Sequence, residues 1–133
     1  MLAFISVLFP AIPMSMVAMN FRYSSLAGLM RSLSTQLGDQ SLSRFDRRLL
    51  SDELNIMRFR IQLVKFALFF QGCAFIANSV ALLLVHRGLE TAASNVIAIS
   101  ICALIVGMVT FCCEIIYSTK ALSLHVTFAG SRD

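Results

Sequence analysis

Three ionisable side chains beside long apolar segments are the strongest candidates for chemistry in this sequence. Arg22 follows the first uncharged segment, Lys65 precedes the second and Glu114 follows the third. If all three segments cross a membrane, these groups arrive at about the same depth on the same side. A carboxylate at that depth is more stable when it is paired. We therefore expect Glu114 to meet Arg22 or Lys65, either as an ion pair that fixes helix register or as part of an ion or proton pathway.

Neutral amides form a second group of candidates within the apolar segments. Gln71 and Asn78 are seven residues apart and therefore share one face of a helix, and Asn20 lies just before Arg22. Such amides join membrane helices through hydrogen bonds that contribute about 1 kcal/mol each. The polar set expected at membrane depth comprises Asn20, Arg22, Lys65, Gln71, Asn78 and Glu114.

The remaining reactive residue types lack the spacing that catalysis or metal binding requires. No C-x-x-C, H-E-x-x-H, G-x-S-x-G or P-loop motif is present, and the two histidines, His86 and His125, are far apart in the sequence. We expect the four cysteines to be reduced and buried; they are Cys73, Cys102, Cys112 and Cys113. The sequence predicts no enzyme, no cofactor and no metal site.

The composition indicates which kind of structure holds these polar and ionisable side chains in place. Of the 133 residues, 58% are hydrophobic and 14% are charged, with a mean hydropathy of +0.81. A domain of this size has too little interior to hide so many apolar residues from water, and the composition is too apolar for disorder. Residues 2–21, 66–85 and 91–113 carry no charge, and each is long enough to span a bilayer as a helix. We expect the first segment to remain in the mature protein, because it has neither a basic start nor a small-residue cleavage site.

Two features within the apolar segments bear on helix shape. Ala103 and Gly107 have the small-xxx-small spacing that lets membrane helices approach closely. Pro10 and Pro13 each remove a backbone hydrogen bond, so the first span is expected to bend in its outer half.

The basic residues predict how the chain is threaded. Eight of the eleven lie between residues 22 and 65, one lies in the loop at Arg87, and two lie at Lys120 and Arg132. Because basic segments stay on the cytoplasmic side, residues 22–65 and the C-terminal tail, 114–133, are expected inside, with the N-terminus outside. His86 and His125 would then lie on opposite sides of the membrane. The net charge of +4 fits a rim facing anionic lipid headgroups and needs no nucleic acid.

Residues 22–65 have the pattern of a helical hairpin. Two apolar seams with spacings of four and three residues continue out of the first span and into the second. The first seam comprises Met19, Tyr23, Leu26, Met30, Leu33 and Leu37, and the second comprises Leu50, Leu54, Met57, Ile61, Val64 and Leu68. A turn-forming cluster at 38–41 separates them. The predicted fold is a single all-α membrane domain with three transmembrane helices, the first two extended into an antiparallel cytoplasmic hairpin.

The ends of the chain resemble a known family. The residues that carry the resemblance are Leu8-Phe9-Pro10-Ala11-Ile12-Pro13, the run from Asn20 to Leu29, and the run from Glu114 to Leu122. They are similar to the bacterial integral-membrane family known as domain of unknown function 2721, and Arg58-Phe59-Arg60-Ile61 resembles the basic stretch before its second span. Pro13 departs from the family pattern. The resemblance implies a small bacterial inner-membrane protein and attaches no activity to it.

The sequence is compatible with two functions. The first is a non-enzymatic, self-associating membrane protein whose hairpin recruits a protein partner or organises a scaffold, although the two seams could also simply cover each other. Arg44, Arg47 and Arg48 near the turn could touch phosphate or lipid, or form a solvated tip. The second function is a homo-oligomeric channel lined by the face carrying Gln71 and Asn78 or by that carrying Asn20 and Arg22.

Overall fold

The structure, a computed structural model, consists of three long helices. It describes residues 2–39, 41 and 43–129, with backbone only for residue 4 and residues 121–129. The helices are α1 (Leu2–Leu37), α2 (Arg44–His86) and α3 (Glu90–Ala129), and the described residues contain no strand. All three helices are long and apolar enough to cross a membrane. The predicted all-α architecture with three candidate membrane-spanning helices is confirmed.

Each helix is longer than a bilayer requires. α1, α2 and α3 contain 36, 43 and 40 residues, which correspond to lengths of about 54, 65 and 60 Å. The hydrocarbon core of a bilayer is about 30 Å thick. Part of every helix therefore extends beyond its span. α1 remains one continuous helix through Pro10 and Pro13.

The turn between α1 and α2 is held by short polar side chains. Asp39 accepts hydrogen bonds from the backbone N–H and the hydroxyl of Ser41, at 3.2 and 3.0 Å, and these bonds hold the pKa of Asp39 below its ordinary value. Ser43 caps α2 by accepting a bond from the backbone N–H of Asp46. The Ser43 hydroxyl donates in return to the Asp46 carboxylate at 2.7 Å. The start of α2 is therefore fixed by its own first turn.

The turn between α2 and α3 depends on Gly88. Its φ of +74° lies in the left-handed region that favours glycine. The N–H of Gly88 donates to the carbonyl of Val85, and the N–H of Leu89 donates to that of Leu84, both at 3.0 Å. This is the Schellman arrangement that ends a helix. α3 starts directly afterwards at Glu90.

α2 is the central helix, since it packs against both neighbours while α1 and α3 touch little. Along α1, the partners on α2 run in the reverse order. Phe9 packs on Phe75 with ring centroids 5.3 Å apart, and Leu26 lies in one cluster with Ile61 and Val64. α1 and α2 are therefore antiparallel over their membrane parts and for some distance beyond.

The two seams lie in or near the interface between α1 and α2. All twelve seam residues are buried or half-buried, and the packed cluster around Leu26 includes Tyr23, Met30 and Leu68 from the two seams. Burial of both seams within one chain supports the simpler of the two readings, in which each seam covers the other.

Most other apolar side chains lie on the outside of this thin bundle. All four cysteines are free and exposed, so the expectation that they are buried is wrong. The buried apolar residues form two small clusters, one of Ile5, Ala81 and Ile97 and one of Leu26, Ile61 and Val64, so the greater part of each helix faces outward. The four thiols lie on this outer surface.

Candidate functional site: a buried carboxylate between two arginines

Three helices contribute to one polar cluster at the edge of the apolar bundle. Glu114 lies on α3, and its side chain is completely buried. Ser118 lies one turn further along the same helix. Arg22 comes from α1 and Arg60 from α2. These four residues are called the arginine–glutamate cluster below.

Both arginines bind both partners on α3. Arg22 Nε lies 3.3 Å from Glu114 Oε2, and Arg60 Nε lies 3.1 Å from Glu114 Oε1. The Nη2 atoms of the two arginines each donate to Ser118 Oγ at 2.8 Å. Each carboxylate oxygen therefore accepts one charge-assisted bond, and the hydroxyl oxygen accepts two. The cluster ties α1 and α2 to the same turn of α3 and so fixes the register of all three helices.

The charges of the cluster are unbalanced. Two guanidinium groups face one carboxylate, which leaves one excess positive charge. The Arg60 side chain is 11% exposed, whereas that of Arg22 is 38% exposed. The part of the cluster that reaches the surface of the bundle is therefore cationic, and it reaches the surface on the α1 side.

Of the two alternatives expected for Glu114, the structure has the pairing with Arg22 and not the one with Lys65. Arg22 and Glu114 come together, but Lys65 is exposed on the outer surface, and Arg60 occupies the position expected for it. Arg60 and Lys65 differ by five residues, or about 140° around a helix. Asn20 is also exposed and lies outside the cluster.

A signal for Arg60 was present in the sequence. Arg60 precedes Gln71 by eleven residues, and eleven residues make almost three whole helical turns. Arg60 therefore lies on the same face of α2 as Gln71 and Asn78, which were expected to point at other helices. Counting depth alone favoured Lys65, because it is the charge nearest the apolar segment.

The two amides of α2 lie within the bundle. Gln71 and Asn78 are completely buried. The Ser15 hydroxyl approaches Gln71 Oε1 at 3.3 Å, but it lies closer, 2.7 Å, to the carbonyl of Ile12. Since these amides are enclosed by one chain, they do not offer a face to a second copy or to a conduit between copies.

Some buried amide atoms have no hydrogen-bond partner among the described residues. They are Gln71 Nε2 and both polar atoms of Asn78, Nδ2 and Oδ1. A rotated Gln71 amide would donate from Nε2 to Ser15 Oγ, whose own proton points to Ile12. Asn78 has no such alternative in the described contacts. The buried Ser100 of α3 donates at 2.7 Å to the carbonyl of Ala74, one turn before Asn78.

α2 and α3 lie close together at Gly107. A Cβ atom at this position would lie 3.2 Å from the carbonyl oxygen of Ala67 and 3.4 Å from Gln71 Cγ. Gly107 belongs to the small-residue pair identified in the sequence, and Ala103 is half-buried. The absence of a side chain is what lets the two backbones lie this close.

The described residues bring no three His, Cys, Asp or Glu side chains together as a metal site. The arginine–glutamate cluster consists of groups that bind anions or hold helices together.

Comparison with known proteins places the chain in a family. Neither the curated proteins nor the solved structures give a match. The model of one family, described as a protein of unknown function (DUF2721), matches residues 6–124, a range that contains Arg22, Arg60, Glu114 and Ser118. The chain therefore belongs to the DUF2721 family.

Proposed function

We propose that this chain is a non-enzymatic inner-membrane protein of bacteria that presents a helical stem, residues 22–65, to a protein partner in the cytoplasm. The observation that carries the proposal is an exposed apolar face on the part of α2 that precedes its membrane segment. The arginine–glutamate cluster supports the proposal by holding the base of the stem to all three spans.

The exposed face is regular. Its residues have spacings of four and three and all are exposed, although the Phe59 ring also packs edge-on against Tyr117 of α3, with ring centroids 5.8 Å apart. They are Phe45, Leu49, Asp52, Ile56 and Phe59. We call this set the outer face. It is rotated by about 140° around α2 from the second seam, whose residues Ile61, Val64 and Leu68 pack against α1. Exposed apolar side chains outside the hydrocarbon region are typical of docking surfaces.

The outer face suits an amphipathic helix that carries a basic residue. Asp52 lies in the middle of the face, so a partner helix with Lys or Arg at that level would complement it. A second copy would fit less well. Copies inserted in the same direction associate about an axis along the membrane normal, which would place Asp52 against Asp52.

Photo-crosslinking in bacterial cells tests the partner surface. Leu49→p-benzoylphenylalanine is expected to give an adduct whose mass is not a multiple of the 14.7 kDa chain, and Asp52→Lys is expected to abolish it. Ser34→p-benzoylphenylalanine, on the exposed side of α1, serves as the matched control. No adduct from Leu49, an equal adduct from Ser34, a multiple of the chain mass or survival in Asp52→Lys would each overturn the proposal.

The cytoplasmic location of the stem rests on its basic residues, since eight of eleven lie within it. Cysteine labelling tests this directly in a variant whose four native cysteines are replaced by alanine. Ser41→Cys is expected to resist a membrane-impermeant maleimide in intact cells, whereas Leu89→Cys, in the opposite loop, is expected to react. The reverse pattern would show that the threading is inverted.

Self-association is the remaining part of the proposal. It is supported by the open side of the bundle, where α1 and α3 touch little. Light scattering of the detergent-solubilised protein is expected to give a protein mass of at least two chains. A protein mass equal to one 14.7 kDa chain would contradict self-association, but it would not bear on the proposed partner surface.

A further inference from the structure

A groove on the open side of the bundle lies next to the arginine–glutamate cluster. It is a cavity of about 430 Å³ between α1 and α3. Its lining residues are Ala18, Phe21, Arg22, Ser25, Phe111 and Ile115. The groove exists because α1 and α3 each pack on α2 and little on each other.

The groove has one apolar end and one polar end. Ala18 and Phe111 lie on the side of the membrane centre, since both precede the cluster along the direction from mid-span to its edge. Arg22 and Ser25 lie towards the stem. This order of surfaces matches an amphiphile whose chain lies in the hydrocarbon and whose headgroup lies at the interface.

Arg22 carries the excess charge of the cluster into this groove. It donates from Nε to Glu114 and from Nη2 to Ser118, which leaves the donors of Nη1 for a further acceptor. A fully balanced ion pair would offer little to an anion, but two guanidinium groups with one carboxylate do attract one. Guanidinium groups bind phosphate oxygens well because their donors are arranged as a planar fork.

We propose that this groove binds one anionic phospholipid. The lipid phosphate accepts hydrogen bonds from Arg22 and Ser25, and one acyl chain lies along Ala18 and Phe111. The proposal requires that the chain spans a membrane. It does not depend on the outer face of the stem or on any protein partner.

Fluorescence quenching by brominated lipids tests the site. Because the chain contains no Trp, Phe111→Trp introduces a single reporter in the groove. The protein is reconstituted into vesicles in which either phosphatidylglycerol or phosphatidylcholine carries the bromine atoms. Brominated phosphatidylglycerol is expected to bind at the reporter about fivefold more strongly than brominated phosphatidylcholine.

Two variants made in the Phe111→Trp background distinguish the groove from general surface charge. Arg22→Gln is expected to reduce the preference to about one, but it also weakens the cluster. Ala18→Leu leaves the Arg22 guanidinium in place and is expected to reduce quenching by filling the groove, and the melting temperature should stay unchanged. Ala11→Leu, also on the exposed surface of α1 but outside the lining, is the matched control.

Equal quenching by the two lipids would overturn the proposal. So would a preference that persists in both Arg22→Gln and Ala18→Leu, because it would then arise away from the groove. Loss of quenching in Ala11→Leu to the same degree as in Ala18→Leu would also overturn it. None of these outcomes bears on the crosslinking at Leu49, so this inference and the proposed function fail independently.

Discussion

Polar side chains are buried between the helices at two levels. The two levels differ in whether the buried polar atoms have hydrogen-bond partners. At the membrane edge, both oxygens of Glu114 and the Ser118 hydroxyl are hydrogen-bonded to Arg22 and Arg60. Nearer mid-span, the polar atoms of Asn78 have no partner among the described residues. A buried charge without a partner costs far more free energy than a buried amide without one. The charged level therefore holds the helices together, while the amide level is tolerated within a bundle held elsewhere.

Removing the carboxylate should have the largest effect. Glu114→Gln is expected to lower the free energy of unfolding by about 3 kcal/mol, because two arginines are left facing each other without an anion. Thermal or denaturant unfolding in detergent measures the change. Glu90→Gln, at the exposed start of α3, should cost less than about 1 kcal/mol. Equal effects of the two variants would show that the cluster does not stabilise the bundle.

Replacing Arg60 and Lys65 one at a time tests which of these two basic residues pairs with Glu114. Arg60→Gln is expected to cost about 2 kcal/mol, since Glu114 loses one of its two charge-assisted bonds. Lys65→Gln, on the exposed surface, is expected to change stability by less than about 0.5 kcal/mol. The same unfolding measurement applies. A larger loss for Lys65→Gln than for Arg60→Gln would reverse the assignment.

The amide level depends on close approach of two backbones. Gly107→Val is expected to cost at least about 1 kcal/mol, because its side chain meets the Ala67 carbonyl. Gly72→Val is the matched control, since a Cβ at Gly72 meets no atom within 4 Å. The melting temperatures of the two variants, measured in the same detergent, test this prediction. Equal melting temperatures would show that α2 and α3 are further apart in solution than in the structure.

The smallest expected effect is an increase in the free energy of unfolding rather than a decrease. Asn78→Leu keeps the number and branching of the side-chain heavy atoms and removes the unpartnered polar atoms, so it is expected to raise stability by about 1 kcal/mol. Gln71→Leu should gain less, because it also removes the contact with Ser15. A loss of stability in Asn78→Leu would show that the Asn78 amide has a partner in the membrane and would abolish the contrast between the two levels.

The sequence was sufficient for the helices and for part of the cluster. Long uncharged segments and two seams of matching period indicate three helices and which faces of α1 and α2 meet. The juxtaposition of Arg22 and Glu114 follows from counting depth. Arg60 was missed because depth does not specify rotation: a side chain five residues away points in a different direction. The exposure of the cysteines was missed because an apolar residue in a lipid-facing bundle need not be covered by protein.

The length of α2 has one mechanical consequence. It is a single helix of 43 residues from the turn at Ser43 to the turn at Gly88, with no break where the membrane segment begins. The stem and the membrane segment of α2 therefore share one uninterrupted ladder of backbone hydrogen bonds, and they can bend apart only where that ladder is broken.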